Sequence, residues 1–104
     1  MSNTEEDAAL LRFVRERSAA KQRRALLESE LRVAGRALFS IGGALREVTA
    51  SGTANYTPRF ILPEVQQAPE ICGLDRIQQM LQELKDIQAQ LEVMDRQAVE
   101  LGIA

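Results

Sequence analysis

The chain has 104 residues, of which 45% are hydrophobic and 27% are charged, a composition typical of one small folded domain. It contains no histidine and a single cysteine, Cys72, which removes the commonest general base and zinc ligand and excludes an intrachain disulfide. Only 4% of the residues are aromatic, which is typical of helical seams and not of ligand pockets. We therefore expect a protein that is not an enzyme, and we assign it no catalytic residue, no cofactor and no metal site.

The first predicted helix runs from about residue 4 to about residue 50. Its apolar residues alternate in spacing between three and four over almost six heptads, which predicts a coiled-coil seam. The twelve seam positions, ten of them apolar, are Leu10, Phe13, Arg17, Ala20, Arg24, Leu27, Leu31, Ala34, Leu38, Ile41, Leu45 and Val48. The two polar positions, Arg17 and Arg24, either set the register and the partner of the helix or extend past a short overlap into water.

Two adjacent glycines interrupt the helical pattern near its end. Gly42 and Gly43 each cost a helix interior about 1 kcal/mol relative to alanine, so the pair predicts a kink, a hinge or a place where another backbone comes close. The helix is expected to end at Ser51 and Gly52, because glycine suits the left-handed position that follows a helix.

The connector, about residues 51–73, contains three prolines. A structureless loop of this length is uncommon in a compact domain, so we expect part of it to be ordered. Residues 59–62 lie between two prolines and are predicted to be extended and buried. Their apolar members, Phe60, Ile61 and Leu62, either cover the first helix or form a strand that pairs with a partner or with a second copy.

The second predicted helix runs from about residue 74 to about residue 102 and has the clearest pattern in the sequence. Its seam has no polar interruption and consists of Ile77, Met80, Leu84, Ile87, Leu91, Met94, Ala98 and Leu101. Asp75 suits the first turn of this helix, and Gly102 followed by Ile103 is typical of a Schellman stop.

Two heptad helices joined by a connector that can reverse the chain predict an all-α fold. We expect an antiparallel two-helix coiled-coil hairpin with a long, partly extended connector, which completes a helical bundle by oligomerisation. The first helix is longer by roughly 27 Å at the rise of an α-helix, so part of it needs a cover other than the second helix.

Opposite charges on the two helices favour one register of this hairpin. Residues 12–36 carry eight basic side chains and three acidic ones, whereas residues 74–104 carry three basic and six acidic ones. A register that places the end of the second helix beside the start of the first brings these charges together, with Glu92, Asp95 and Glu100 near Arg12, Arg15 and Arg17. The alternative register pairs the end of the first helix with the start of the second.

Several apolar residues outside the seam widen the apolar stripe of the first helix beyond what one partner helix can cover. A two-helix hairpin also has little interior of its own, so a homo-oligomer or a complex with another helical protein is expected. The predicted interaction residues, which include one seam position, are Leu11, Phe13, Val14, Leu26, Val33, Phe39, Phe60, Ile61 and Leu62.

The basic part of the first helix permits a second interpretation, a surface for nucleic acid. Arg17, Arg23 and Arg24 are the candidate residues, either as ion pairs that set the register or as contacts to phosphates. The net charge of −2 and the absence of aromatic residues between the cations favour the ion pairs, so nucleic acid is the less favoured partner.

We therefore predict a protein–protein interaction module: a helical-hairpin subunit, an adaptor or an assembly chaperone of a multi-chain complex. No apolar stretch is long enough to span a membrane, and the acidic start lacks the pattern of a signal peptide. These features predict a protein of the cytoplasm or of a particle assembled there. The layout of two heptad helices around an extended middle segment resembles prefoldin-type chaperone subunits in architecture alone.

Overall fold

The computed structural model describes the backbone of residues 3–51 and 61–103 and the side chains of residues 4–46 and 67–103. Three helices follow one another in this part of the chain: α1 (Asn3–Ser51), α2 (Ile61–Cys72) and α3 (Leu74–Glu100). The long α1 packs against α2 and α3, so the predicted all-α helical hairpin is confirmed. None of the described helices combines the length and the apolar character that crossing a membrane requires.

The heptad pattern accounts for the core. The side chains that are buried in the described part of the chain are Ala20, Leu27, Ala34, Cys72, Met80, Ile87, Leu91, Met94 and Ala98. All of them except Cys72 occupy predicted seam positions, because a repeat of alternating three and four keeps one face of a helix against its neighbour. Leu27 is the largest fully buried side chain, with 0% of its surface exposed.

The chain divides into two compact units. Unit 1 comprises Met1–Leu27 and Gln82–Ala104, and unit 2 comprises Glu28–Leu81. Of the nine buried apolar side chains among the described residues, six belong to unit 1 and three, Ala34, Cys72 and Met80, belong to unit 2. Among the residues whose side chains are described, unit 1 therefore has more buried apolar side chains than unit 2.

The described part of the connector is helical, so the expectation of an extended segment is wrong for Ile61 and Leu62, which begin α2. Pro63 falls in the first turn of α2, where a helix makes no use of the missing N–H, so this proline starts the helix instead of preventing it. Arg59 and Phe60 lie outside the described residues. The likeness to prefoldin-type subunits depended on an extended middle segment and loses that support.

A glycine separates α2 from α3. Pro69 lies inside α2 and lacks the N–H that a helix interior requires, and α2 ends soon after it at Cys72. A Cβ atom on Gly73 would lie 2.6 Å from the carbonyl oxygen of Pro69, so only glycine fits this junction without a backbone shift. The Gly73 carbonyl then accepts the first hydrogen bond of α3, from the Ile77 N–H at 2.9 Å.

The glycine pair in α1 has a different environment. The helix continues through Gly42 and Gly43 to Ser51, the residue at which the sequence predicts its end. A Cβ atom added to either glycine would meet no atom of the described residues within 4 Å. Of the three alternatives for these glycines, the close approach of another backbone is therefore not found within the described part of the chain.

The end of α3 has the predicted Schellman geometry. The Ile103 N–H donates to the Ala98 carbonyl at 3.0 Å, and the Gly102 N–H donates to the Val99 carbonyl at 3.1 Å. Gly102 has a φ of 74°, a left-handed conformation that glycine adopts without a steric penalty. Two carbonyls of the last turn thereby obtain hydrogen-bond donors.

Candidate interaction surfaces

Arg17 joins α1 to α3 inside unit 1. Its Nε and Nη2 donate to Oδ1 of Asp95 at 3.1 and 2.8 Å, and 20% of the Arg17 side chain is exposed. The pair places the end of α3 beside the start of α1, which is the register that the opposite charges predict, so the alternative register is wrong. Arg17 thus occupies a seam position while its charge contacts a carboxylate of the neighbouring helix.

Arg23 forms a two-pronged ion pair with Glu83, also inside unit 1. Its Nε lies 2.7 Å from Oε1 of Glu83, and its Nη2 lies 2.9 Å from Oε2. This parallel geometry is the one in which a guanidinium group matches a carboxylate best. The hydrogen bond from Arg23, supported by the positive charge of its guanidinium group, holds the pKa of the Glu83 carboxyl below its usual value.

The ion pair of unit 2 has the opposite polarity. Nη2 of Arg76 on α3 lies 3.3 Å from Oε2 of Glu30 on α1, and both side chains are partly exposed. Such an exposed pair stabilises a fold by about 0–1 kcal/mol, so its main effect is on register and partner choice. The three predicted basic residues are therefore placed as follows: Arg17 and Arg23 contact carboxylates of α3, and Arg24 is half-buried on the seam.

The predicted interaction residues of α1 are exposed to different degrees. Phe39 is 85% exposed, whereas Leu11, Val14, Leu26 and Val33 are about half-exposed. Phe13 is half-buried. Phe60 lies outside the described residues, and the same is true of the side chains of Ile61 and Leu62. The structure therefore leaves apolar side chains of both units in contact with water.

An apolar groove lies in unit 2, between α1 and the junction of α2 with α3. It has a volume of about 520 Å³ and is lined by Leu38, Ile41, Leu45, Ala68, Pro69, Cys72, Gly73 and Leu74. None of these residues carries a charge. The seam residues Leu38 and Leu45 are 44% and 52% exposed, and Leu74 is 75% exposed.

The groove exists because the two seams differ in extent. The seam of α1 continues past Leu38, but the seam of α3 begins only at Ile77, and α2 does not continue its heptad pattern. Sequence reasoning placed Leu38 and Leu45 on the seam and did not identify them as exposed residues. The signal was present in Pro69 and Gly73, which end the helical repeat just before α3.

A second surface lies in unit 1, where the start of α1 adjoins the end of α3. This acid-rimmed cleft has a volume of about 600 Å³ and is lined by Glu6, Asp7, Ala9, Leu10, Phe13, Gln97, Glu100 and Leu101. Leu10, Phe13 and Leu101 are the last seam positions at this end, and Leu101 remains 54% exposed. Sequence reasoning missed the cleft and named neither Glu6 nor Asp7 as a candidate site residue.

The described residues contain no group of three or more carboxylate or thiol side chains placed to hold a metal ion. No protein-family model, no curated protein and no solved structure matches this chain. The geometry therefore defines the class of fold, an all-α helical hairpin, with one uncharged and one acidic surface on which apolar side chains meet water.

Proposed function

We propose that this protein is a non-enzymatic interaction module, a helical-hairpin subunit of a multi-chain complex that associates through the apolar groove of unit 2. The observation that carries the proposal is the exposure of two seam leucines, Leu38 and Leu45, in a groove whose described lining residues carry no charge. Seam leucines stabilise a helical protein only when another apolar surface covers them.

A second copy of the chain is the occupant that this surface fits best. The described residues that line the groove carry no charge that would select a partner of a given sign. Its leucines both line the groove and extend into water, so the same patch on two molecules is self-complementary, as a two-fold symmetric interface requires. Association in this way completes the predicted helical bundle.

The energetics show which further residue must take part. Burying the exposed fractions of Leu38, Leu45 and Leu74 in both copies contributes about 5–10 kcal/mol before costs. Association costs about 4–15 kcal/mol in lost motion, so the groove alone supports only weak binding. Phe39, which is 85% exposed beside Leu38 in a neighbouring hollow, is the side chain that can add the most apolar area.

The test compares self-association of the full chain with that of two matched variants. Light scattering after size exclusion, over a wide range of concentrations, is expected to show a mass that rises toward the dimer for the wild type. Leu38→Gln/Leu45→Gln should remain monomeric. Leu11→Gln/Val93→Gln, which alters two similarly exposed apolar residues of unit 1, should behave like the wild type.

Two results would change the proposal. Equal self-association of the wild type and the groove variant would show that the groove is not the interface. A wild-type monomer that binds a specific second protein, with binding lost only in the groove variant, would keep the interaction module and replace the second copy by that protein. Nucleic acid has less support as a partner, because Arg17 and Arg23 already contact carboxylates of the same chain.

A further inference from the structure

The acid-rimmed cleft of unit 1 combines an apolar floor with one sign of charge. Leu10, Phe13 and Leu101 form the apolar part, and Leu101 keeps more than half of its surface in water. Glu6, Asp7 and Glu100 are the charged residues of the described lining, which contains no basic side chain. In this respect the cleft differs from the groove of unit 2, whose lining carries no charge.

The acidic residues of the cleft take no part in the ion pairs described above. The ion pairs between α1 and α3 described above involve Asp95, Glu83 and Glu30, and none of them involves Glu6, Asp7 or Glu100. Glu6 lies in the first turn of α1, where the helix dipole favours a negative charge. Glu100 is the last residue of α3, where the dipole disfavours one, so its charge weakens the helix that carries it.

We propose that this cleft is a docking site for a cationic amphipathic helix of a partner protein. The apolar face of that helix would cover Leu10, Phe13 and Leu101, and its lysine or arginine residues would contact the three carboxylates of the rim. A second copy docked cleft to cleft would bring the two acidic rims together. The repulsion between their like charges argues against self-association through this cleft.

The binding experiment uses the full chain and a defined probe. A fluorescently labelled helical peptide with leucines on one face and lysines on the other is titrated with protein, and its anisotropy is measured at low ionic strength. The wild type should bind this peptide and should not bind an otherwise identical peptide with glutamates in place of the lysines. Affinity should fall as salt is added, because the Debye length shrinks from about 30 Å at 0.01 M to about 8 Å at 0.15 M.

A matched pair of charge variants locates the binding. Glu6→Gln/Asp7→Asn/Glu100→Gln should bind the lysine peptide at least about tenfold more weakly, because three carboxylate contacts are lost at an exposed site. Glu16→Gln/Glu70→Gln/Glu92→Gln removes the same charge from residues outside the cleft and should bind within about twofold of the wild type. Circular dichroism of both variants checks that the helices are retained.

A third variant tests the apolar floor. Leu101 follows the last helical residue of α3 and is half-exposed, so Leu101→Ser should keep the fold while lowering the affinity for the lysine peptide about fivefold.

An equal loss of affinity in the two charge variants would overturn the proposal, because it would mean that the peptide is attracted to the whole acidic chain. Unchanged binding by Leu101→Ser would also overturn it. Peptide binding lost only in Leu38→Gln/Leu45→Gln would move the site to the groove, without contradicting self-association there.

Discussion

Unit 1 and unit 2 each contain part of the heptad repeat of α1 and part of the heptad repeat of α3, yet their interiors differ. In unit 1 the seam of α1 has the seam of α3 opposite it, and six described apolar side chains are buried, among them Leu27 and Leu91. In unit 2 the seam of α1 adjoins α2 and the start of α3, and the buried side chains among the described residues are Ala34, Cys72 and Met80. The same repeat on α1 therefore produces a closed core in one unit and an open groove in the other.

The difference teaches that a heptad pattern predicts a need for cover and not the cover itself. A leucine at a seam position is buried only if the opposite helix presents a seam residue at the same level. Leu27 has that partner surface and is 0% exposed, whereas Leu45 lacks it and is 52% exposed. We expect equivalent substitutions at seam positions of the two units to change the stability of the protein by different amounts.

The largest expected effect is that of truncating a seam leucine in the closed core. Leu27→Ala should lower the free energy of unfolding by about 2–5 kcal/mol, because it removes a fully buried side chain and leaves a cavity. Leu45→Ala should lower it by about 1 kcal/mol or less, because half of that side chain is already in water. Urea denaturation of both variants at low protein concentration measures the difference.

Equal losses in the free energy of unfolding for Leu27→Ala and Leu45→Ala would contradict the difference between the two units. A cost at Leu45 that grows with protein concentration would instead mean that a second copy already covers the groove, since association stabilises the folded state by mass action.

The next largest effect concerns the junction that ends the core of unit 2. Gly73→Ala should destabilise the protein by about 1–3 kcal/mol, because its Cβ would lie 2.6 Å from the Pro69 carbonyl oxygen and the backbone would have to shift. Gly42→Ala is the matched control in the same unit, and it should stabilise the protein by about 1 kcal/mol, because nothing lies within 4 Å of the new methyl group. Thermal and urea unfolding of both variants test the opposite signs.

A destabilised Gly42→Ala would contradict the open surroundings of that glycine and would place a neighbour there. A neutral Gly73→Ala would mean that α2 and α3 can change their junction without cost, and the groove would then lack a defined wall.

Much of the fold follows from the sequence, because hydrophobic period is a strong signal over long helices. In the described part of the chain, the repeat identifies eight of the nine buried side chains, the stop at Gly102 and, through charge, the register in which Arg17 contacts Asp95. The conformation around Pro63 was not predictable in the same way. A proline is compatible both with an extended segment and with the first turn of a helix, and local sequence does not decide between them.

The candidate surfaces follow from the sequence less well than the fold does. Phe39 and Val33 are recognisable as surplus apolar residues, and both are exposed. The groove and the cleft, in contrast, are produced by where helices end opposite one another, which depends on tertiary packing. Leu38 and Leu101 look like any other seam residue until the helix that faces them is known.

The smallest expected effect tests the ion pairs that accompany the closed core of unit 1. The pKa of the Glu83 carboxyl is lowered in the folded state, chiefly by its hydrogen bond from Arg23. A carboxyl with a depressed folded pKa contributes stability above its unfolded value, about 4.5, and loses that contribution as the pH falls through the lower folded value. The wild type should therefore lose more stability than Arg23→Gln between about pH 6 and about pH 3.

Arg15→Gln removes the same charge from α1 outside the described ion pairs and should keep the pH dependence of the wild type. Identical pH profiles for the wild type and Arg23→Gln would mean that the pair of Arg23 with Glu83 contributes nothing measurable to the stability of unit 1.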